Sequence, residues 1–173
     1  MNTSSFLTRA ERPSDNAAIE ALHNKVFSPE TRAARASFRV REQAPHLRDL
    51  SFLTEENGRL VASVRMTPIR VGEHELLGLL LGPLVVDPVF KGQGHGKALV
   101  RVVVEAAREA GWPFVILVGD LPYYWPFGFR PLPPGKVQMP GPVDPARLLV
   151  AELKPGAVEG LRGMVSGKRC LAR

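Results

Sequence analysis

The segment LVVDPVFKGQGHGK, residues 84–97, joins a predicted buried strand to the predicted start of a long amphipathic helix. Three alternating glycines, Gly92, Gly94 and Gly96, lack Cβ atoms where a backbone would approach a ligand closely. The first amides of the helix have no partners within it and lie at the positive end of its dipole. This pattern is typical of a phosphate-binding turn, and Lys91 and Lys97 add positive charge beside it.

Two other phosphate-binding motifs fit the segment less well. A P-loop ends in Gly-Lys followed by Ser or Thr, whose hydroxyl binds magnesium, but Gly96-Lys97 is followed by Ala98. The dinucleotide-binding fingerprint needs Gly-x-Gly-x-x-Gly after the first strand, whereas these glycines alternate and follow the fourth predicted strand. The segment therefore favours a helix N-terminus that binds phosphate through its backbone.

The hydrophobic pattern on either side predicts a mixed α/β domain with elements in the order β-α-α-β-β-β-α-β-α-β-β. The predicted strands are residues 6–11, 50–54, 59–71, 75–86, 114–118, 129–132 and 148–153. The predicted helices start after Asp15 and Ser28, the second running to about Arg41, and cover residues 94–110 and 123–127. Gly82-Pro83 interrupts the fourth strand and predicts a bulge or splay, because proline cannot donate to a strand ladder.

Length and composition limit the classes of protein to which the chain can belong. The 173 residues, 45% hydrophobic and 23% charged, predict a single globular domain over 1–173, with a core over 6–154 and a C-terminal tail over 155–173. The one cysteine, Cys170, excludes an internal disulfide. The first 20 residues show no signal-peptide pattern and no apolar run is long enough to span a bilayer, so we expect a cytoplasmic protein without a membrane partner.

The net charge of +6, from 23 basic and 17 acidic residues, favours an anionic partner. The basic residues are scattered and no zinc-finger or RNA-binding motif is found, so nucleic acid is not expected as a partner. One basic group is predicted to form the solvated face of a helix: Arg32, Arg35, Arg39 and Arg41. The four histidines lack ligand spacing, which predicts no metal site.

The glycine segment resembles the acetyl-CoA signature of the GNAT N-acetyltransferase superfamily. That signature is a basic residue or Gln, two variable residues, Gly, one variable residue, then Gly or Ala, and it matches residues 91–96, KGQGHG, with Lys91 where Arg or Gln is usual. The order of elements is similar over most of the chain. The resemblance implies an α/β (α+β) fold, with a mixed, mostly antiparallel sheet of about six to seven strands that is flanked by helices and splayed near Gly82-Pro83.

The resemblance also implies acetyl-CoA as cosubstrate. Backbone groups at the end of the fourth strand would bind the pantetheine arm, and amides of the glycine turn would bind the pyrophosphate. Asp120 is a candidate to orient a CoA amide, a water or the substrate amine, or alternatively to cap a turn. The candidate cofactor-binding residues are Leu84, Val85, Val86, Lys91, Gly92, Gln93, Gly94, His95, Gly96, Lys97 and Asp120. The His95 side chain itself is expected to face solvent.

A second signal is residues 119–129, GDLPYYWPFGF, in which Tyr124 stands four residues before Gly128. The segment resembles a bacterial branch of predicted GNAT acetyltransferases, the YhbS-type proteins. The resemblance implies that Tyr124 hydrogen-bonds the CoA sulfur and protonates the leaving thiolate, since a phenol with a pKa of about 10 is protonated at neutral pH. Tyr123 is expected to pack instead, and Pro126 stands where the family often has Lys or Arg. Alternatively, these aromatic residues form only a core cluster.

These features predict an N-acetyltransferase that moves an acetyl group from acetyl-CoA directly to a primary amine of a small molecule or peptide. The alternative is a non-catalytic acyl-CoA-binding regulatory module, which needs the phosphate loop but not Tyr124. The candidate general bases, none of which stands out, are Glu55, Glu56, Glu73, His74, Glu75 and His95. Family members are often dimers, so the resemblance is compatible with a homodimer.

Overall fold

The computed structural model describes residues 5–168, apart from the side chains of residues 32–34, so Cys170 lies outside the described residues. The strands in this range are β1 (Phe6–Ala10), β2 (Phe52–Glu56), β3 (Arg59–Val71), β4 (Leu76–Val86), β5 (Phe114–Val118), β6 (Phe129–Pro131), β7 (Val137–Gln138), β8 (Leu148–Glu152) and β9 (Gly163–Gly167). The helices are α1 (Asn16–Val26), α2 (Pro29–Ala34), α3 (Ala36–Gln43), α4 (His95–Glu109) and α5 (Leu121–Tyr124).

The strands form one sheet in the order β1-β2-β3-β4-β5-β8-β6, and β9 pairs with both β3 and β7. All pairings are antiparallel except β4 with β5 and β7 with β9. This confirms the predicted mixed, mostly antiparallel sheet flanked by helices. The described residues form nine strands, however, rather than the predicted six to seven.

The two additional strands are short and lie in segments that sequence patterns describe poorly. β7 has two residues within a Pro- and Gly-rich stretch, and β9 begins and ends with glycine. β9 pairs with the second half of β3, from Ile69↔Gly167 to Val71↔Val165. Part of the predicted 155–173 tail therefore belongs to the sheet, since β3 offers it the edge that β2 leaves unpaired.

The predicted irregularity at Gly82-Pro83 is a bulge with a splay beside it. Val64 pairs with Leu84 and Met66 with Leu81, so Arg65 alone faces the two residues Gly82 and Pro83. On its other side, β4 pairs with β5 only at Leu79↔Val115 and Leu80↔Ile116. Beyond these pairs the two parallel strands separate, which leaves an opening in the middle of the sheet.

The core has one layer on each face of the sheet. Alternate residues of β3 such as Val64 and Met66 pack with the apolar stripe of α4, which includes Leu99 and Val103. The opposite face packs against α3 and the C-terminal segments, with Val40 among the buried residues. None of the helices in residues 5–168 is long and apolar enough to cross a membrane.

Arg65 extends from the bulge into a buried ionic network. Its guanidinium donates two hydrogen bonds to the Glu11 carboxylate, at 2.9 and 3.1 Å, and a third to Glu20 of α1 at 3.0 Å. His46 Nε2 lies 2.8 Å from Glu11 Oε1, and the Glu11 side chain is 0% exposed. Burial opposes ionisation of Glu11, but the hydrogen bonds from His46 and Arg65 outweigh it and hold the pKa of Glu11 below its ordinary value.

Asp15 stabilises the connection between β1 and α1, and its replacement gives a testable pH effect. Arg9 donates two hydrogen bonds of 2.8 Å to Asp15, and the Arg12 amide donates a third at 2.7 Å. The Arg9 contact is the main reason that the pKa of Asp15 falls from 3.8 to about 2. Because the folded pKa is depressed, the stabilisation is present above pH 3.8 and is lost as the pH falls toward 2.

We therefore expect Asp15→Asn to lower the free energy of unfolding by about 2 kcal/mol at pH 7, with the difference from wild type vanishing near pH 2. Urea unfolding followed by circular dichroism from pH 2 to 7 measures this. The exposed Asp49→Asn is the matched control. A constant difference across the pH range would contradict the assignment.

Candidate functional site

The separation of β4 and β5 opens a cleft of about 340 Å³ through the sheet. One wall is residues 81–86 of β4, and the facing wall is residues 117–120 at the end of β5. Tyr123 and Tyr124 of α5 border it on one face of the sheet, and residues of α1 and α3 on the other. Among the residues predicted to bind the cofactor or act in catalysis, the cleft brings together Leu84, Val85, Val86, Asp120 and Tyr124.

The predicted glycine turn lies at the start of α4. Gly92 and Gly94 have left-handed φ values of 80° and 86°, which favour glycine. Within the described chain, a Cβ atom at either position would meet no heavy atom within 4 Å, so open space lies beside this backbone. Lys91, Gln93 and Lys97 are exposed around it. The geometry fits a backbone that receives an anionic ligand at a helix N-terminus.

Asp87 anchors the turn between β4 and this loop. Its side chain is only 8% exposed, and it accepts hydrogen bonds from the Val89 amide and from Lys25, both at 3.1 Å. Burial opposes its ionisation, but these two hydrogen bonds outweigh the burial and lower the pKa of Asp87. Sequence reasoning missed this role, although the Asp-Pro dipeptide after a strand is a turn signal.

Two residues at the start of α4 face the protein interior. The His95 ring lies 4.5 Å from the Phe6 ring and is half-buried, so the expectation that it faces solvent is wrong. The reason is the edge strand β1, which brings Phe6 over the loop. A Cβ on Gly96 would lie 2.5 Å from the Tyr123 hydroxyl, so glycine here allows Tyr123 to approach the helix start.

Tyr124 is half-buried and lines the cleft. Its ring lies against the backbone of Gly119, which has no side chain to displace it, and 5.7 Å from the Phe129 ring. Desolvation, followed by the nearby Tyr123 and Asp120 charges, raises the pKa of Tyr124 well above its ordinary value. The phenol therefore stays protonated at any physiological pH, as a proton donor must. Tyr123 packs on the core as expected and also lines the cleft.

Asp120 occupies the N-cap position of α5. Its backbone carbonyl accepts from the amides of Tyr123 and Tyr124, which orients the start of the helix. The carboxylate forms an ion pair with Arg147 Nε at 3.1 Å. The side chain of Asp120 makes no cap hydrogen bond to α5, so only its backbone caps the turn, and the carboxylate lies at the wall of the cleft.

The basic group Arg32, Arg35, Arg39 and Arg41 does not form the predicted solvated face of a single helix. Instead of one helix, the chain forms α2 and α3 with a break at Arg35, whose ψ of 122° is extended. The break brings Arg35 and Arg41 to the wall of the cleft, so they are not simply a solvated face. Arg39 donates a hydrogen bond to the Pro140 carbonyl at 2.9 Å, and the Arg32 side chain lies outside the described atoms. No periodicity in the sequence predicts that break.

A second cavity of about 540 Å³ adjoins the cleft on the α1–α3 side and shares Arg41 and Pro83 with it. Glu20, His46 and Arg65 are among its lining residues. The opening at the bulge thus connects with a larger space beneath α1 and α3. Within residues 5–168 no group of three His, Cys, Asp or Glu side chains is arranged to hold a metal ion.

A strand, a glycine-rich turn and a helix beside a splayed sheet define the class of protein. The acetyltransferase (GNAT) family profile matches residues 16–122, more than half of the chain, and the chain therefore belongs to this family of N-acetyltransferases. The family resemblance inferred from residues 84–97 and 119–129 is confirmed.

The relatives and solved structures agree with this assignment. The N-acetyltransferase YhbS of Escherichia coli strain K12 is 27% identical over 92% of this chain and 95% of its own length. The crystal structure of E. coli YhbS in complex with CoA matches with a TM-score of 0.81 and 25% identity, over 97% of this chain and 92% of that one. A GNAT acetyltransferase from Brucella melitensis in complex with acetyl-CoA matches with a TM-score of 0.59 and 28% identity, over 84% and 95% of the two chains.

Proposed function

We propose that acetyl-CoA binds in the cleft between β4 and β5 and that its acetyl group passes directly to a primary amine entering from the α1–α3 side. The observation that carries this proposal is the splay after Leu80↔Ile116, together with the open backbone of Gly92 and Gly94 in the turn that follows β4. The β5-facing backbone groups of residues 84–86 would hold the pantetheine arm, and the amides at the start of α4 the pyrophosphate. The matching YhbS and Brucella structures contain CoA and acetyl-CoA, which supports acetyl-CoA as the cosubstrate of this chain.

The chemistry asked of this chain is positioning and proton transfer. A thioester is already reactive toward amines, so holding the two reactants together supplies much of the acceleration. The neutral amine nitrogen bonds to the acetyl carbon, the carbon–sulfur bond breaks, and Tyr124 donates its phenolic proton to the leaving thiolate. The nitrogen in turn loses one proton to solvent water, and a proton returned from water restores the Tyr124 phenol. Its raised pKa keeps that proton available.

The glycine turn provides the test of cofactor binding. We expect acetyl-CoA to bind saturably in isothermal titration calorimetry, and Gly94→Ala to weaken that binding about tenfold. The reason is that a Cβ at φ 86° costs about 1–2 kcal/mol, which the loop relieves by moving its amides. Gly156→Ala is the matched control, since Gly156 has φ 81° and an equally open Cβ position in the C-terminal segment. Equal affinity in both variants, or no binding to the wild type, would contradict the proposed site.

We further propose that the enzyme works in a bacterial cytoplasm. A chain with one cysteine among 173 residues suits a reducing compartment, and YhbS of E. coli is a bacterial relative of nearly the same length. No step of the reaction requires a second copy of the chain, a nucleic acid or a membrane.

A further inference from the structure

The end of the cleft that faces α1 and α3 has an excess of positive charge. Arg35, Arg41 and Arg147 line the cleft, and Asp120 is the single carboxylate among its described lining residues. Arg41 donates hydrogen bonds to Ser37, so the excess charge is that of Arg35 and Arg147. In the function proposed above, the CoA pyrophosphate lies elsewhere, at the start of α4. The cofactor therefore does not account for these arginines, and their charge faces the space left for the acceptor.

Arg35 is held so that its donors remain available. Its guanidinium stacks on the Phe27 ring, with Cζ 4.4 Å from the ring centroid, and stacking leaves the N–H groups at the edge of the plane. Within residues 5–168 Arg35 forms no ion pair with a carboxylate. Desolvation against the cleft wall, and then repulsion from Arg147, hold the pKa of Arg35 below its ordinary value, yet an arginine remains charged at neutral pH.

Arg147 is the second cation beside the cleft, and its ion-pair partner Asp120 can be replaced by a bound oxyanion. It pairs with Asp120 at 3.1 Å, but the two side chains are 48% and 75% exposed. Exposed ion pairs contribute little to stability, so a bound oxyanion can replace Asp120 at small cost. Two neighbouring guanidinium groups with one exposed counter-charge form a site suited to an oxyanion.

The adjoining cavity beneath α1 and α3 differs from the cleft in the net charge of its lining residues. Its lining contains two arginines, Arg41 and Arg65, and two glutamates, Glu20 and Glu42, and Arg65 Nη1 donates to Glu20 at 3.0 Å. This cavity is therefore balanced, and it offers about 540 Å³ for the remainder of an acceptor. The uncompensated charge is confined to the cleft beside Arg35 and Arg147.

We propose that the acceptor is a primary amine that also carries an oxyanion, a carboxylate or a phosphate, and that Arg35 and Arg147 bind this oxyanion. The inference rests on the proposed function. Arginine binds both oxyanions through paired N–H donors, so the structure defines the shared chemistry. Losing these charge-assisted hydrogen bonds should weaken binding by about 10–100-fold.

The test compares amines that differ only in the oxyanion. Glycine is paired with glycinamide, and glucosamine 6-phosphate with glucosamine, in calorimetric titrations of the chain with and without saturating CoA. We expect at least one oxyanion-bearing member to bind about 10–100-fold more tightly than its neutral partner. The pair with the larger preference distinguishes carboxylate from phosphate. Equal binding within both pairs, or tighter binding of the neutral members, overturns the inference.

The arginines themselves provide the second arm. The double variant Arg35→Gln/Arg147→Gln should lose the preference for the oxyanion-bearing member of each pair, whereas Arg35→Lys should retain part of that preference. Arg108→Gln, on the exposed side of α4, is the matched control and should keep the full preference. A double variant that keeps it also overturns the inference. Acetyl-CoA binding and thiol release are measured separately, so failure of the proposed function would be seen there and not in the amine titrations.

Discussion

Tyr124→Phe is expected to lower kcat by about 100-fold or more while leaving the affinity for acetyl-CoA close to that of the wild type. General acid catalysis contributes about 10²–10⁴-fold to enzyme rates. The substitution removes only the hydroxyl group that would donate the proton. The ring remains against Gly119 and beside Phe129, so the cleft keeps its shape. Thiol release with a dye gives kcat, and calorimetry gives the dissociation constant of acetyl-CoA.

Tyr123→Phe is the matched control because it removes a hydroxyl from the same wall. That hydroxyl lies near Gly96 at the start of α4, so its loss should alter the KM for acetyl-CoA rather than kcat. If Tyr123→Phe abolished turnover and Tyr124→Phe did not, the general acid would be Tyr123. Unchanged turnover in both variants would mean that the leaving thiolate departs without a tyrosine proton. A wild-type chain that binds acetyl-CoA but acetylates no amine would favour a regulatory module.

Arg65→Leu should reduce the free energy of unfolding by about 3–5 kcal/mol at pH 7, since the buried Glu11 carboxylate loses its arginine partner and two hydrogen bonds. Domains of this size are stable by only about 5–15 kcal/mol, so the loss is a large fraction of the total. The expected measurement is urea unfolding followed by circular dichroism. Because Arg65 faces Gly82-Pro83 across the bulge, the variant should also weaken acetyl-CoA binding.

The pH dependence and a double variant test the cause. The pKa of Glu11 is depressed in the folded protein, so its stabilisation is present above its unfolded pKa and is lost as the pH falls. The gap between wild type and Arg65→Leu should accordingly narrow toward pH 4, where the isolated carboxyl becomes protonated. Adding Glu11→Leu to Arg65→Leu should recover part of the lost stability, because both charges are then gone. If the double variant were less stable than either single variant, the broken Arg65–Glu11 pair would not be the cause of the lost stability.

The sequence predicted those parts of the fold that depend on local pattern. The Asn57-Gly58 turn fixed the β2–β3 hairpin, with both residues at positive φ, and the bounds of β3 are as predicted. The bulge beside Pro83 also follows from local chemistry, since proline has no amide to donate. β7 and β9 could not be predicted, because β7 has only two residues and β9 begins and ends with glycine, so both depend on their partners rather than on their own residues.

The candidate site likewise has parts that the sequence predicts and parts that it does not. The glycine turn and Tyr124 lie in continuous segments whose spacing is visible in the sequence, and both border or adjoin the cleft. Arg35 and Arg147 are more than 100 residues apart and border the same cleft only in the folded chain, after α3 has packed on the sheet and β8 has paired with β5. Asp87 looks like an ordinary turn residue until Lys25 is placed beside it. Such contacts arise from topology, which local spacing does not encode.

The pairing of β9 with β3 has a consequence for biosynthesis. β3 is among the first strands to leave the ribosome, and the partner of its second half is the last strand described. Until that partner is translated, residues 69–71 present unpaired backbone groups at an edge that other nascent chains can join. The side of the sheet proposed to bind acetyl-CoA, β3 to β5 with α4, is synthesised much earlier. As the chain is synthesised from its N-terminus, β3 to β5 and α4 can therefore fold first, and β9 completes the sheet last.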